Sequence, residues 1–195
     1  DMKGICLWTN MDIPLGNNIG NSVEVLEAIN SLYYNPDNNL MKLCIELSSY
    51  MVKLGLDISY EEAKNKVNDV ISNKMAYNKL LEFIKYQGGD VNLLPRSQYV
   101  YDVKSEKQGY LTSIYSLEVA KLSSALGAGR MSKDDNIDYS AGIIFEKGIN
   151  DIVNVGDTIM KLYTNRQLPL IDIDKLFTIS EKMVENVNLI YEVIE

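Results

Sequence analysis

The spacing of apolar residues changes once along this chain, and this change constrains the fold more than any other feature. Before the Gly88-Gly89-Asp90 turn and Pro95, apolar residues recur every three or four positions, as on one face of an α-helix. Beyond that point the apolar runs are short and bounded by glycine and charged turns, as in β-strands. The pattern predicts an α+β protein with a mostly helical part at 1–95, a strand-rich module at 96–170 and an extended tail at 171–195.

The helical part opens with a short apolar run at 3–8, which is typical of a buried strand. Helices are predicted at 22–33, from Pro36 to a stop at Gly55, from Ser59 onward, and at 74–86. Asn21 with Glu24, and Ser59 with Glu62, have the spacing of capping boxes. The second helix carries the clearest apolar stripe, made of Leu40, Leu43, Cys44, Leu47, Met51 and Leu54.

The second part is predicted to be a small strand-rich module with one inserted helix at 116–126. Strands are predicted at 99–103, 110–114, 142–145 and 158–163. The tail alternates weakly in polarity, around Leu176 and Thr178 and again at 189–193, so strand or extended structure is expected there.

The charge of the chain excludes several classes of partner. A formal net charge of -8 and a pI near 4.7 disfavour nucleic acid and anionic membrane surfaces, which bind clustered Lys and Arg. No apolar run approaches the roughly 18 residues that a membrane span needs. Cys6 and Cys44 lie in apolar runs and match no zinc or redox spacing, so they are predicted to be reduced, buried core residues. A cytoplasmic location is therefore expected.

Common catalytic and nucleotide-binding motifs are missing from the sequence. The chain has no histidine, which excludes Ser-His triads and the usual zinc sites. Gly127-Ala128-Gly129 follows a predicted helix, whereas phosphate-binding glycine loops connect a strand to a helix. Asp134, Asp135 and Asp138 are candidates for a divalent-ion site, but their charged and polar neighbours favour a solvated turn.

Lys147 supports a second hypothesis from another functional class. It lies near a predicted hairpin, as the modified lysine does in biotinyl and lipoyl carriers. The chain would then be a non-catalytic carrier or interaction module. An ordinary exposed hairpin lysine is the competing and preferred interpretation.

Two blocks of the sequence resemble the thymidine and pyrimidine-nucleoside phosphorylase family. The first runs from Thr9-Asn10-Met11-Asp12-Ile13-Pro14-Leu15-Gly16 through Ile19 to Ile29, and resembles the family's strand-loop-helix signature. The second runs from Gly127-Ala128-Gly129-Arg130 to Gly142-Ile143, followed by Val155-Gly156-Asp157-Thr158-Ile159. The blocks occur in the family's order, and the resemblance covers essentially the whole chain.

The resemblance implies the C-terminal half of a bacterial pentosyltransferase of nucleoside salvage. Such an enzyme cleaves uridine, deoxyuridine or thymidine with inorganic phosphate as co-substrate, giving the free base and a (deoxy)ribose 1-phosphate. The expected fold is the C-terminal part of an α/β phosphorylase domain followed by an αβ hammerhead-like (barrel-sandwich) module. The family's phosphate loop and pyrimidine-binding residues belong to the N-terminal half, so no catalytic or cofactor-binding residue is assigned here and the isolated chain is expected to be inactive.

The resemblance also implies part of a monovalent-cation site, with K⁺ as the cofactor of the full-length enzyme. The matching ligands are Leu15 and Asn18, through backbone carbonyls, and Glu27, through its carboxylate. Asn18 replaces the small residue usual in the family, which a carbonyl ligand tolerates. The alternative is that Glu27 is merely solvated or salt-bridged on its helix. Nucleoside and phosphate would bind through the N-terminal half, and the full-length protein is expected to be a homodimer.

Overall fold

The computed structural model describes residues 3–185 and 188–195, so residues 186 and 187 of the predicted tail lie outside the described part of the chain. The helices in these ranges are α1 (Ser22–Tyr34), α2 (Asn39–Leu56), α3 (Tyr60–Ser72), α4 (Met75–Tyr86) and α5 (Ser116–Leu126). The strands are β1 (Cys6–Thr9), β2 (Asn18–Gly20), β3 (Tyr99–Lys104), β4 (Gly109–Ile114), β5 (Gly142–Phe145), β6 (Ile152–Val153), β7 (Thr158–Thr164), β8 (Phe177–Ser180) and β9 (Ile190–Ile194). Helices together with antiparallel sheets confirm the predicted α+β class. None of the described helices has the length and apolar character of a membrane span.

The chain divides into two compact units, each built from non-contiguous segments. The helical unit comprises 1–11, 28–92 and 187–195, and the strand unit comprises 12–27 and 93–186. One change of unit, at 92/93, lies near the end of the predicted helical part. The predicted domains at 1–95, 96–170 and 171–195 stay a prediction.

The ends of α2 and α3 follow from local capping. Asn38 accepts a hydrogen bond from the Met41 amide at 2.9 Å and so begins α2. The helix ends at Asp57, which adopts the left-handed conformation with φ 53°, rather than at the predicted Gly55, which lies inside the last turn. Ser59 accepts from the Glu62 amide at 3.2 Å and begins α3, which confirms the predicted cap.

The predicted capping box at α1 takes a different form. Glu24 accepts from the Gly20 amide at 2.8 Å, one residue before the expected partner. The Asn21 side chain donates to the Ala128 carbonyl at 2.9 Å. This hydrogen bond joins the start of α1 to the loop after α5. The two residues lie 107 positions apart in the sequence, so the spacing of neighbouring residues could not predict it.

The helical unit has a small core. Met41, Val67 and Ile71 form its buried cluster, where α2 packs on α3. Strand β1 pairs only with β9 in a two-stranded sheet, so its residues are exposed or half-buried and the prediction of a buried strand is wrong. The predicted burial of Cys6 and Cys44 is also wrong: both are free thiols and exposed.

The strand unit contains the main core. Its four-stranded sheet has the order β2-β5-β7-β3, and its three-stranded sheet has the order β6-β4-β8. Helix α5 contributes buried Val119 and Leu126 to the same cluster as the strands. The completely buried aliphatic side chains from the strands of this unit are Leu111, Ile143, Val153, Ile159, Met160 and Leu162.

Candidate cation site

The three predicted cation ligands lie on one continuous segment of the strand unit. Leu15 is half-buried in the turn that precedes β2, Asn18 is the first residue of β2, and Glu27 is half-buried on α1. The turn and β2 lead directly into α1, so the helix can direct a side chain back onto the turn that precedes it. The contact between Glu27 on α1 and the turn before β2 defines the site.

The Glu27 carboxylate binds the backbone of the turn. Oε1 accepts a hydrogen bond from the Asn17 amide at 2.7 Å, and Oε2 accepts from the Asn18 amide at 3.2 Å. A carboxylate oxygen has two lone pairs, so each oxygen keeps a position for a further partner. The Glu27 carboxylate therefore joins α1 to the turn that precedes it.

Gly16 allows this close approach. A Cβ atom at residue 16 would lie 2.4 Å from Glu27 Oε2, which is closer than Cβ contacts in proteins, and 3.0 Å from Glu27 Cδ. A larger residue would displace the flexible Glu27 side chain rather than the backbone. The glycine is thus required by the contact between the carboxylate and the turn.

The Asn18 carbonyl points toward the same side as the Glu27 contact. The Asn17 carbonyl faces β5, where its oxygen accepts a hydrogen bond from the Phe145 amide at 2.8 Å. In an extended strand the N–H and C=O of one residue share a side, and the next residue faces the other side. Asn17 precedes β2 and does not follow this rule, because its N–H donates to Glu27. Asn18 lies within β2, so its carbonyl shares the free edge of the strand with its N–H, which donates to Glu27.

The Asn18 side chain has a structural role. Its Nδ2 donates to the Val23 carbonyl at 2.8 Å, which fixes the first turn of α1 relative to β2. Ser22 strengthens this start, since its Oγ donates to the Tyr139 carbonyl at 2.6 Å. The position of Glu27 above the turn is set by these anchors.

The second sequence block forms a structural network within the strand unit. Gly127, at φ 117°, ends α5, and a Cβ there would lie 3.1 Å from Arg166 Nε. Asp138 accepts from Ser140 Oγ at 2.6 Å and from Asn165 at 2.9 Å. Burial raises the pKa of the Asp138 carboxyl, but these hydrogen bonds outweigh burial and hold the pKa below its ordinary value.

The acidic residues of this loop bind protein groups. Asp135 accepts from the amides of Met131 and Ser132, at 2.8 and 2.9 Å. In the described ranges, no three His, Cys, Asp or Glu side chains form a group that could hold a metal ion. Asp135 and Asp138 thus accept hydrogen bonds from the backbone and side chains of their own loop.

Lys147 is half-buried and hydrogen-bonded, so the expectation of an ordinary exposed hairpin lysine is wrong. Its Nζ donates to the Ile152 carbonyl at 3.0 Å and lies 3.2 Å from Asp157 Oδ2. Hydrogen bonds from the Asn154 backbone and from Lys147 hold the pKa of Asp157 below its ordinary value. The lysine closes its own hairpin through these contacts.

A cluster that sequence reasoning missed joins α2 to α3. Glu46 accepts hydrogen bonds from both Tyr60 and Lys64, and Lys64 also donates to Tyr60 at 3.1 Å. The hydrogen bonds to Glu46 and Tyr60 raise the pKa of Lys64 above its ordinary value. Lys64 follows Tyr60 by one helical turn, but the pairing with Glu46 depends on how α2 and α3 pack.

We expect Glu27→Gln to loosen the turn selectively. The neutral amide keeps one carbonyl acceptor but turns an NH₂ group toward the second amide, so one of the two hydrogen bonds is lost, at about 1–2 kcal/mol. Hydrogen exchange at the Asn17 or Asn18 amide should then be roughly ten-fold faster. Glu61→Gln, at an exposed position of α3, is the control and should leave these amides unchanged. Unchanged exchange in Glu27→Gln would show that the carboxylate does not hold the turn.

Comparison with known proteins relates the second half of the chain to one family. Residues 110–178 match the family model described as the pyrimidine nucleoside phosphorylase C-terminal domain. Over this C-terminal region the chain is therefore similar to the thymidine and pyrimidine-nucleoside phosphorylases. This confirms the resemblance found in the sequence.

Individual relatives agree with this assignment. The chain is 36% identical over 167 residues to the thymidine phosphorylase of Metamycoplasma hominis, covering 82% of this chain and 61% of that protein. It is 36% identical over 170 residues to the pyrimidine-nucleoside phosphorylase of Staphylococcus aureus (strain USA300), covering 84% of this chain and 39% of that protein. The chain thus spans less than two thirds of the length of these relatives.

Proposed function

We propose that this chain acts as part of a pyrimidine-nucleoside phosphorylase. The observation that carries the proposal is the match of residues 110–178 to the C-terminal domain of that family, extended by 36% identity over most of the chain. The substrates are a pyrimidine nucleoside and inorganic phosphate. A phosphate oxygen forms a bond to C1′ of the pentose, the C1′–N1 bond breaks, and the base leaves with the electron pair and takes up a proton.

The isolated chain is proposed to be inactive. Its sequence has no histidine, and the glycines at 127 and 129 lie at the end of a helix rather than between a strand and a helix. The acidic side chains near them accept hydrogen bonds from the protein's own backbone. Groups that bind phosphate and base would have to come from a part of the enzyme outside these residues.

The contribution proposed for this chain is half of a cation site. Leu15 and Asn18 would supply carbonyl oxygens, and Glu27 would supply negative charge, which suits K⁺ as a hard, oxygen-bound cation. The orientation of the Asn18 carbonyl and the free lone pairs of Glu27 support this assignment. A cation there would stabilise the turn, and through the turn the enzyme's phosphate-binding side.

The test is phosphorolysis of uridine and thymidine, followed by release of free base. The chain is assayed alone and together with the region of the Staphylococcus aureus relative that precedes the matched 170 residues, both mixed and joined as one polypeptide. Activity is expected only when both parts are present. Activity of the chain alone would contradict its proposed inactivity, and the absence of activity in the joined polypeptide would contradict the proposed function.

The cation is tested in the same joined polypeptide. Replacing KCl with tetramethylammonium chloride should lower both the thermal midpoint and the activity, and Glu27→Gln should remove most of this dependence. The isolated chain should respond weakly, because it supplies only part of the ligand set. Equal potassium dependence of the Glu27→Gln variant and the unaltered polypeptide would exclude Glu27 as a ligand. We also propose that the full-length enzyme forms a homodimer and is located in the cytoplasm.

A further inference from the structure

The two halves of the candidate cation site are held by different parts of the strand unit. The turn before β2 is attached to β5, because the Asn17 carbonyl accepts a hydrogen bond from the Phe145 amide at 2.8 Å. Glu27 lies on α1, and the start of this helix is attached to the loop after α5. The distance between the Glu27 carboxylate and the turn therefore depends on both attachments.

The start of α1 rests on the two ends of that loop, residues 127–139, which we call the α5 loop. Asn21 Nδ2 donates to the Ala128 carbonyl at 2.9 Å, at the first end. Ser22 donates to the Tyr139 carbonyl at the second end, through its amide at 3.0 Å and through its Oγ at 2.6 Å. Both ends of the α5 loop thus contact neighbouring residues of α1.

The ends of the α5 loop are also joined to each other. The Asp138 amide donates to the Gly127 carbonyl at 2.9 Å, so the two ends lie side by side. The Asp138 carboxylate accepts from Ser140 Oγ at 2.6 Å and from Asn165 Nδ2 at 2.9 Å. These hydrogen bonds fix the spacing of the two carbonyls on which α1 rests.

Helix α1 transmits the position of the α5 loop to Glu27. Glu27 follows Ser22 on the same helix by about one and a half turns, and the backbone hydrogen bonds of a helix make such a short segment stiff. A displacement at Ser22 therefore moves the Glu27 carboxylate relative to the turn. The attraction between a cation and a carboxylate falls with their distance, so this movement changes cation affinity.

We propose that Asn21 and Ser22 are positioning residues that couple the α5 loop to the cation site. With both ends of the loop attached to α1, Glu27 lies against the turn and the affinity for K⁺ is high. Bound K⁺ in turn holds α1, and through α1 the ends of the loop, because linkage between two equilibria is reciprocal. This coupling rests on the proposed cation site and assigns a role to two residues outside its ligand set.

Asn21→Asp separates the coupling from the stability of α1. The Asn21 carbonyl accepts from the Val25 amide at 3.2 Å, so Asn21 caps the helix, and Asp is as favourable as Asn at that position. An ionised Asp side chain has no hydrogen to donate, so it repels the Ala128 carbonyl instead of binding it. The helix start is retained in this variant, while its hydrogen bond to the α5 loop is lost.

The coupling is measured in the joined polypeptide, as the KCl concentration that gives half of the potassium-dependent rise in thermal midpoint. Tetramethylammonium chloride keeps the ionic strength constant. Asn21→Asp should raise this concentration about five-fold, and saturating KCl should restore the activity. Tyr115→Phe is the matched control: it removes one hydrogen bond of 2.9 Å, to Thr178 in the same unit, and should leave the concentration unchanged.

Hydrogen exchange measures the reciprocal effect. KCl should slow exchange at the Ala128 and Asp138 amides of the unaltered joined polypeptide, and Asn21→Asp should remove this protection. Ser22→Ala loses the hydroxyl bond to Tyr139 but keeps the amide bond, so it should show a smaller change in the same direction. This second variant carries the test if Asn21→Asp does not fold.

The same half-saturating KCl concentration in Asn21→Asp, Ser22→Ala and Tyr115→Phe would overturn the proposal. Exchange in the α5 loop that is insensitive to KCl, in a polypeptide whose thermal midpoint responds to KCl, would also overturn it. No response of the unaltered polypeptide to KCl would exclude the cation site and the coupling together. A shifted KCl dependence without phosphorolysis would support the coupling while the proposed function failed, so the two failures are distinguishable.

Discussion

Leu162→Ala should lower the free energy of unfolding of the strand unit by about 3–5 kcal/mol, the range for truncating a fully buried leucine. Leu162 is 0% exposed and lies on β7, which is an interior strand of its sheet. It pairs with Ile143 on β5 and Tyr101 on β3. Alanine would leave a cavity that a side chain fixed between two neighbouring strands cannot close.

Hydrogen exchange of the β5 and β7 amides as a function of urea measures this loss, because it reports on the strand unit separately. Leu170→Ala is the matched control, since Leu170 is fully exposed and the same atoms are removed. It should change stability by less than about 0.5 kcal/mol. A loss below 1 kcal/mol in Leu162→Ala would mean that β7 does not occupy the centre of this core.

The strand unit was the more predictable part of the fold. The strand at 142–145 and the helix at 116–126 have the bounds that their apolar runs and flanking turns indicate. Both elements are covered on their apolar sides by elements of the same unit. Local pattern and tertiary packing therefore select the same residues, which is the condition under which sequence patterns are reliable.

The helical unit shows the limit of such patterns. The periodicity of α2 identifies an apolar stripe but carries no information about which neighbour covers it. In the structure α3 packs on Met41 and its neighbours, and Met51 and Cys44 remain exposed. The prediction that Cys44 is a core residue was wrong because a helix with two apolar faces can present only one of them to α3.

The residues of the candidate site could be proposed from the sequence, but the hydrogen bonds between them could not. Leu15, Asn18 and Glu27 came from the family resemblance. The hydrogen bonds from Glu27 to the Asn17 and Asn18 amides span nine or ten residues and depend on the path of the intervening turn. Gly16 was a visible signal for a close approach, but a glycine alone does not say which side chain approaches it.

Gly142→Ala should destabilise the strand unit by about 3 kcal/mol, at the upper end of the usual cost of overpacking. Gly142 faces Gly20 across the pair of β2 and β5. A Cβ at residue 142 would lie 2.7 Å from the Ile19 carbonyl oxygen and 2.8 Å from Val23 Cγ2. The first of these atoms belongs to the backbone of β2, so relief of the clash requires the two strands to separate.

This substitution also tests how the fold positions the candidate site, because β2 holds the turn that Glu27 binds. Separation of β2 from β5 should speed hydrogen exchange at Asn17 and Asn18 as well as at the β5 amides.

Gly148→Ala is the matched control: its new Cβ would have only an ordinary contact, 3.6 Å from Asp151 Oδ2, and stability should change by less than about 0.5 kcal/mol. Equal effects of the two alanines would show that the close pairing of β2 with β5 is not required. Loss of stability in Gly142→Ala with unchanged exchange at Asn17 and Asn18 would show that Glu27 and α1 alone hold the turn. Loss of stability together with faster exchange at these amides would show that the candidate site depends on the close pairing of Gly20 with Gly142.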